Sequence, residues 1–141
     1  MAGIDESLPF RALSIAVLTV SDTRTRAEDR SGDVLVARLE AAGHRLAARE
    51  IVRDDAATIA AVLRRWAEDR AVEVVISTGG TGVTGRDVTP EAVAAVVEKE
   101  VPGFGELFRM LSYAKIGTSA LQSRACAGVV NGTYIFALPG S

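Results

Sequence analysis

Val72–Glu91 reads VEVVISTGGTGVTGRDVTPE, and its three segments obey different physics. Val72, Val74, Val75 and Ile76 form a short β-branched run, the pattern of a buried strand. Thr78-Gly79-Gly80-Thr81-Gly82 follows at once. Glycines so dense add no side chain to a core; they admit positive φ and let backbone N–H groups approach a ligand. Thr89-Pro90-Glu91 then opens a helix, with Thr89 as N-cap, Pro90 at the first helical position and Glu91 in the first turn. Strand, glycine loop and helix start together predict an anion-binding corner.

Upstream, Leu13–Val20 (LSIAVLTV) is apolar almost throughout. Such a run suits a central strand covered on both faces. It ends in Ser21-Asp22-Thr23, and the polar stretch to Ser31 reads as a surface loop. Leu35, Leu39 and Ala42 recur at helical spacing up to a stop at Gly43. His44, the only histidine, follows that stop and reads as a solvated loop residue rather than a metal ligand. Arg45–Val52 is a second strand, followed by Asp54-Asp55. Ile59, Val62, Leu63 and Trp66 make one helical stripe facing a core.

Downstream, a helix from Pro90 buries Val93, Val96 and Val97, and Pro102-Gly103 breaks it. Phe104, Leu107, Phe108 and Leu111 form a further stripe with Met110 and Tyr113 off it. A helix apolar on more than one side has two neighbours, and one of them is expected to be another subunit. Asn131-Gly132 is a hairpin-turn signal between Ala127–Val130 and Thr133–Leu138. Alternating strands and helices imply an α/β fold: a mostly parallel sheet, helices on both faces, and a closing antiparallel hairpin. Ser21-Asp22, Asp54, the glycine loop and Pro139-Gly140-Ser141 all fall just after strands. In a parallel sheet they share one rim, where open α/β sheets bind ligands.

With 141 residues, 48% of them apolar, the chain is expected to be one domain, residues 13–141, behind an N-terminal arm at 1–12. A net charge of −2 argues against nucleic acid as the main partner. Cys126 is alone, which excludes an intrachain disulfide and suits a reducing compartment. Neither an apolar signal core nor a run of ~18 apolar residues is present. The expectation is a cytoplasmic protein away from membranes.

Two phosphate motifs fail at the loop. Gly80–Gly85 matches G-x-G-x-x-G, but a dinucleotide fingerprint follows the first strand and opens a helix directly. Here it follows the third strand, and Arg86-Asp87-Val88-Thr89 intervene. In a P-loop, Lys-Ser/Thr would stand where Arg86-Asp87 does. What remains is a site for a phosphate or a pterin-sized anion with carboxylates beside it. Asp54 and Asp87 follow different strands of the rim and could share a Mg²⁺. Alternatively, Asp54 or Asp55 caps the next helix, and Asp87 closes a turn before Thr89. Arg86, Ser119 and Arg124 could reach a ligand, or Arg124 could pair with Glu106. A single histidine leaves no Cys–His or Ser–His–Asp set, which argues against covalent acyl chemistry.

TGGTGVTGRDVTPEA, GFGELFRMLS, IGTSALQSRA and IFALPGS together closely resemble the molybdenum cofactor biosynthesis family. Its molybdopterin-binding domain also occurs in MogA and in the G domain of gephyrin. VSDTR, IVRDD and GTSALQSRACAG are most similar to the protein B (MoaB) branch. The resemblance runs from Leu13 to Ser141. It implies a three-layer α/β/α sandwich that binds molybdopterin at the inferred rim. It further implies adenylylation, in which the terminal phosphate of molybdopterin attacks the α-phosphate of Mg²⁺-ATP and releases pyrophosphate. The family's essential aspartates match Asp54 and Asp87. Its ligand-contact segments match the glycine loop Thr78-Gly79-Gly80-Thr81-Gly82, Ser119 and Pro139-Gly140-Ser141, and with them Ser21, Asp22, Arg86, Thr89, Glu106 and Arg124 are expected to line the substrate site. The resemblance also implies a homotrimer, or a hexamer built as a dimer of trimers, and other proteins of the same pathway as partners. Family members continue into a final helix after the Pro-Gly-Ser turn, which this sequence lacks. A carrier that holds molybdopterin without reacting it is the alternative within the same family.

Overall fold

A computed structural model describes residues 3–140. Six strands form one sheet in the order β2-β1-β3-β6-β5-β4. They are β1 (Ser14–Val20), β2 (Arg45–Val52), β3 (Val74–Thr78), β4 (Lys99–Glu100), β5 (Cys126–Val130) and β6 (Thr133–Leu138). β1 pairs in parallel with both β2 and β3, and β6 runs parallel to β3. β5 and β4 complete the sheet antiparallel. The helices are α1 (Arg30–Ala41), α2 (Ala56–Ala67), α3 (Thr89–Val96) and α4 (Pro102–Ile116).

The strand order follows from the crossovers. From β1 the chain turns to one side through α1 to β2, then returns through α2 to β3 on the other side of β1. Right-handed crossovers in opposite directions place α1 and α2 on opposite faces. Alternation along β1 therefore feeds two cores. Ala16, Leu18 and Val20 pack with Ile59, Leu63 and Trp66 of α2 and with Val93 and Val96 of α3. Ile15 and Val17 pack with Leu35, Val36 and Leu39 of α1. The reversal between β1 and β3 opens a crevice at their C-terminal ends.

Local chemistry sets the ends of these elements. Gly43, at φ +92°, closes α1 in a Schellman motif: its N–H donates to Glu40 O, and the His44 N–H donates to Leu39 O. Asn131 and Gly132 both have positive φ, as a type I′ hairpin turn requires. The third strand lies two residues later than Val72–Ile76 suggests.

Several expectations change. Thr89 does not cap α3. Val88 precedes the helix, and the Thr89 hydroxyl donates to Gly79 O at 3.0 Å. Pro102 does not break α3, which ends at Val96 with Val97 already extended; Pro102 opens α4, and Lys99–Glu100 forms a short strand between the two helices. His44 is not simply solvated: its Nδ1 accepts from the Leu13 N–H at 3.0 Å, and its ring lies 5.3 Å from Phe10. In α4 only Phe104 and Phe108 of the expected stripe turn inward, with Phe104 edge-on to Phe136 at 5.1 Å. Leu107 and Leu111 join Met110 and Tyr113 on an exposed apolar face.

The stretch expected to be a simple surface loop contains Asp29, which is fully buried. Asp29 caps α1 by accepting from the Gly32 N–H at 3.0 Å, takes the Thr19 hydroxyl at 2.7 Å, and pairs with Arg49 of β2 at 3.0 Å. Burial pushes its carboxyl up, but the hydrogen bonds from Thr19, Gly32 and Arg49 outweigh that and hold it below the ordinary carboxylate range. A depressed pKa stabilises the fold above the unfolded-state value of about 4, and that contribution is lost as pH falls through the folded value. Asp29→Ala leaves Arg49 buried without this partner and is expected to cost about 3–5 kcal/mol. Urea unfolding at pH 7 measures the loss, and the difference from wild type should shrink as pH is lowered.

Candidate functional site

The rim at the C-terminal ends of β1 and β3 carries a cleft of ≈ 440 Å³. Its walls come from Thr19–Arg24, Ser31, Asp54, Thr78-Gly79-Gly80, Asp87 and Gly140. The structure thus brings together the four stretches that the sequence places after strands. Ser141 lies outside the described residues.

The glycine loop is held by its carbonyls and neighbouring amides. The Gly79 N–H donates to Leu138 O at 2.9 Å, and the Thr89 N–H donates to Gly80 O at 3.1 Å. Among the described residues, the Gly80 and Thr81 N–H groups have no acceptor. The free amides of positive-φ Gly80 and of Thr81 after it are adjacent, and successive N–H groups of this kind form anion-binding concavities. A Cβ on Gly80 would stand 2.3 Å from Thr89 Oγ1 and 3.2 Å from Asp54 Oδ1. The loop can reach Asp54 only because it lacks one.

Asp54 is half-buried beside that loop. It does not cap α2; Asp55 does, through the Thr58 N–H at 2.9 Å. The Asp54 backbone N–H donates to Asp22 Oδ1 at 3.1 Å. Burial pushes the Asp54 carboxyl above its ordinary value, the Asp22 and Asp87 carboxylates push it further, and Arg86 opposes them. Arg86 reaches across from the glycine loop to pair with Asp22, its Nε at 3.0 Å, and so bridges two parts of the rim.

Asp87 folds back on its own loop. Its Oδ2 accepts the Thr84 N–H at 3.0 Å and the Thr84 hydroxyl at 2.8 Å. With the Gly82 N–H added, these bonds hold its carboxyl below the ordinary range. Asp87 thus closes a turn before Thr89, as its residue type suggests, and the turn runs back to Thr84. Asp54 and Asp87 present opposite electrostatic characters to one cleft, the first short of hydrogen bonds and the second saturated with them.

Arg124 braces the loop from the other side. Its Nε donates to Gly82 O at 2.7 Å, its Nη2 to Asp87 O at 2.7 Å, and its backbone N–H to Thr81 O at 2.8 Å. The remaining face of the guanidinium pairs with Glu91. Arg124 does not pair with Glu106 and has little left to offer a ligand. Glu106 lies in a separate cleft between α3 and α4, near Arg109 and Cys126. Ser119 lines a third cleft, formed by Thr81, Gly82 and Pro139 with Phe108, Leu111 and Lys115. That cleft abuts the glycine loop on the β6 side.

Ser21 accepts from the Thr23 and Arg24 N–H groups and shapes the first wall. Thr78 Oγ1 donates to Pro139 O at 3.3 Å. The sequence reading missed Ser31, whose hydroxyl donates to Gly140 O at 2.5 Å and ties α1 to the last turn. It also missed Asp29, although an aspartate three residues before Gly32, ahead of a periodic stretch, is a cap signal.

Comparison with known proteins agrees with this geometry. A family described as "Probable molybdopterin binding domain" matches residues 16–141. Molybdenum cofactor biosynthesis protein B of Escherichia coli K12 is 48% identical over 135 residues, covering 96% of this chain and 79% of that protein. Its Bacillus subtilis namesake is 48% identical over 126 residues, covering 89% and 74%. A crystal structure of a molybdenum cofactor biosynthesis protein B superposes with a TM-score of 0.90 at 45% identity, over 93% of this chain and 82% of that one. A family model over nearly the whole chain and relatives at 48% identity agree, and the chain belongs to the molybdopterin-binding domain family of the molybdenum cofactor biosynthesis proteins.

Proposed function

We propose that this protein binds molybdopterin and adenylylates it with ATP, releasing pyrophosphate. The observation that carries the reading is the placement of Asp54 against Gly80, with Asp87 on the same loop, around two free backbone amides. Phosphoryl-type transfer needs positioning and charge neutralisation rather than a covalent nucleophile. The Gly80 and Thr81 amides hold phosphate oxygens without importing positive side chains. The Ser119 cleft, which combines Phe108 and Leu111 with serines and Lys115, accepts the pterin ring beside them.

Mg²⁺ fits this donor set only in part. Among the described residues, no group of three or more carboxylate, imidazole or thiol side chains forms a ready-made cage. Two carboxylates completed by phosphate oxygens and water match the way magnesium is usually held in nucleotide sites. Burial first, and the nearby Asp22 and Asp87 carboxylates second, push the Asp54 carboxyl up, and a cation beside it would relieve both. When bound by Asp54 and Asp87, the ion would neutralise charge on the phosphates. Asp54 and Asp87 orient that charge, Arg124 fixes the loop, and Thr89 keeps the Gly79 carbonyl turned away from the anion.

The exposed face of α4 supports a homo-oligomer. Leu107, Met110, Leu111, Tyr113 and Ile116 are all more than half exposed. Apolar surface so concentrated marks an interaction site. The reading is a trimer, with a hexamer as two trimers, working alongside other proteins of molybdenum cofactor synthesis. No helix among the described residues is long and apolar enough to cross a membrane, consistent with a cytoplasmic setting.

Four outcomes are expected. Pyrophosphate release from Mg²⁺-ATP with molybdopterin should fall at least about 100-fold in Asp54→Ala and in Asp87→Ala, the ~3 kcal/mol typical of one electrostatic contact to a transition state. Wild-type kcat/KM for Mg²⁺-ATP, which reports the free enzyme, should also fall as pH drops through the raised Asp54 value, at a higher pH than an ordinary carboxylate would give. Retained molybdopterin binding with no release by wild type would leave a carrier instead. Arg124→Lys keeps the charge near Glu91 but loses the fork, so amide exchange across Gly82–Val88 should accelerate about tenfold. Light scattering after size exclusion should show an oligomer that Leu111→Glu reduces; a monodisperse wild-type monomer would remove the assembly reading.

A further inference from the structure

In-line displacement puts the incoming and departing oxygens on opposite sides of the reacting phosphorus. We infer that the groove beside the C-terminal end of β2, carrying Arg24, Arg26 and Arg53, is a polyphosphate subsite that receives the β- and γ-phosphates of ATP and holds pyrophosphate as it leaves. This inference rests on the adenylyl-transfer reading above and assigns one end of that reaction.

The sheet order supplies the direction. The Ser119 cleft stands on the β6 side of the glycine loop, and the Asp54 cleft lies over β1 and β3. The arginine groove, ≈ 730 Å³, lies beyond it on the β2 side, between the Ser21–Arg26 segment and Arg49–Arg53. Pterin cleft, anion nest, aspartates and arginines thus follow one another along the rim. Arg24 lines both the groove and the Asp54 cleft, and Arg53 lines the adjoining pocket with Asp54 and Arg86. No barrier of unrelated residues separates the two sites.

Charge supplies the chemistry. Each carboxylate in the groove wall already has a partner from outside it: Asp22 is held by Arg86, and Glu50 by Arg65. Arg49 is likewise occupied by Asp29 and Asp33. Arg24, Arg26 and Arg53 are exposed and have no carboxylate partner among the described residues. Three guanidinium groups without an ion pair, of which only Arg53 feels the Asp22 carboxylate at longer range, share one concave wall in a chain of net charge −2 and suit a dense anion. The glycine loop has no lysine to serve this purpose.

The step balances without a further reactant. An anionic oxygen of the molybdopterin phosphate forms a new bond to the α-phosphorus. The bond from that phosphorus to the oxygen bridging to the β-phosphate breaks, and the oxygen leaves with the electron pair as pyrophosphate. Negative charge therefore grows on the arginine side during the reaction, where fixed cations stabilise it.

The test is calorimetric titration of the full chain with magnesium pyrophosphate, and separately with AMP. Arg26→Ala/Arg53→Ala is compared with wild type and with Arg38→Ala, which removes an exposed arginine from the last turn of α1. The double variant should bind pyrophosphate at least tenfold more weakly with AMP affinity unchanged, while Arg38→Ala matches wild type. Equal pyrophosphate affinity in wild type and double variant, no binding by wild type, or an equal loss in Arg38→Ala would each overturn the subsite. Selective loss in the double variant, with no pyrophosphate release by wild type from ATP and molybdopterin, keeps the polyphosphate subsite and removes the adenylyl-transfer reading.

Discussion

A methyl group at position 80 would meet the Thr89 hydroxyl at 2.3 Å and the Asp54 carboxylate at 3.2 Å, and the rim depends on that lack of space. The close approach lets three separate elements meet at one backbone segment: the end of β3, the start of α3 and the residue after β2. Position 79 is as crowded, with a Cβ placed 2.3 Å from Val20 O at the end of β1. Both glycines also sit at positive φ, which any side chain would strain. Sterics and conformation thus demand the same residue twice in succession. The Gly80 and Thr81 amides are left without an acceptor among the described residues.

That demand is why the fold was legible. Apolar alternation, glycine at Gly43, and Asn131-Gly132 each fix local structure through chemistry that stays the same in any tertiary setting. β2 and the hairpin fall where the sequence puts them. The misses have a common physical cause. Thr89 has the chemistry of a cap, but its hydroxyl is taken by Gly79 O, a partner ten residues away that no local pattern reveals. Asp29 looks like one more charge in a polar stretch, and only the fold brings Thr19 and Arg49 to it. Lys99–Glu100 is too short to show a period.

The candidate site was legible in a different way. Its place followed from topology, since polar stretches after parallel strands must share a rim. Its division of labour did not. Arg124 reads as a ligand cation but is occupied by two loop carbonyls and Glu91. Asp54 and Asp87 read as equivalent carboxylates. In the structure Asp87 is bonded into its loop, while Asp54 is desolvated by burial and then crowded by like charge, a contrast that arises from three-dimensional neighbours alone.

The same contrast explains how a weakly acidic protein can serve anionic ligands. Asp22, Asp54 and Asp87 make the centre of the rim negative, and Arg86 offsets only one of them directly. Phosphates alone would be repelled there. Backbone amides soften that repulsion over a few ångströms because their dipoles are fixed and carry no net charge. Side-chain cations stand at the flank, on the β2 side, and not in the nest itself. A rim charged in this order favours an anion that arrives with its own cation and extends towards the arginines. It disfavours an isolated phosphate that would sit among the aspartates. On the adenylyl-transfer reading proposed above, selectivity for a metal-bearing polyphosphate over simple anions would follow from where the charges lie along the rim, with no contact to the nucleoside required.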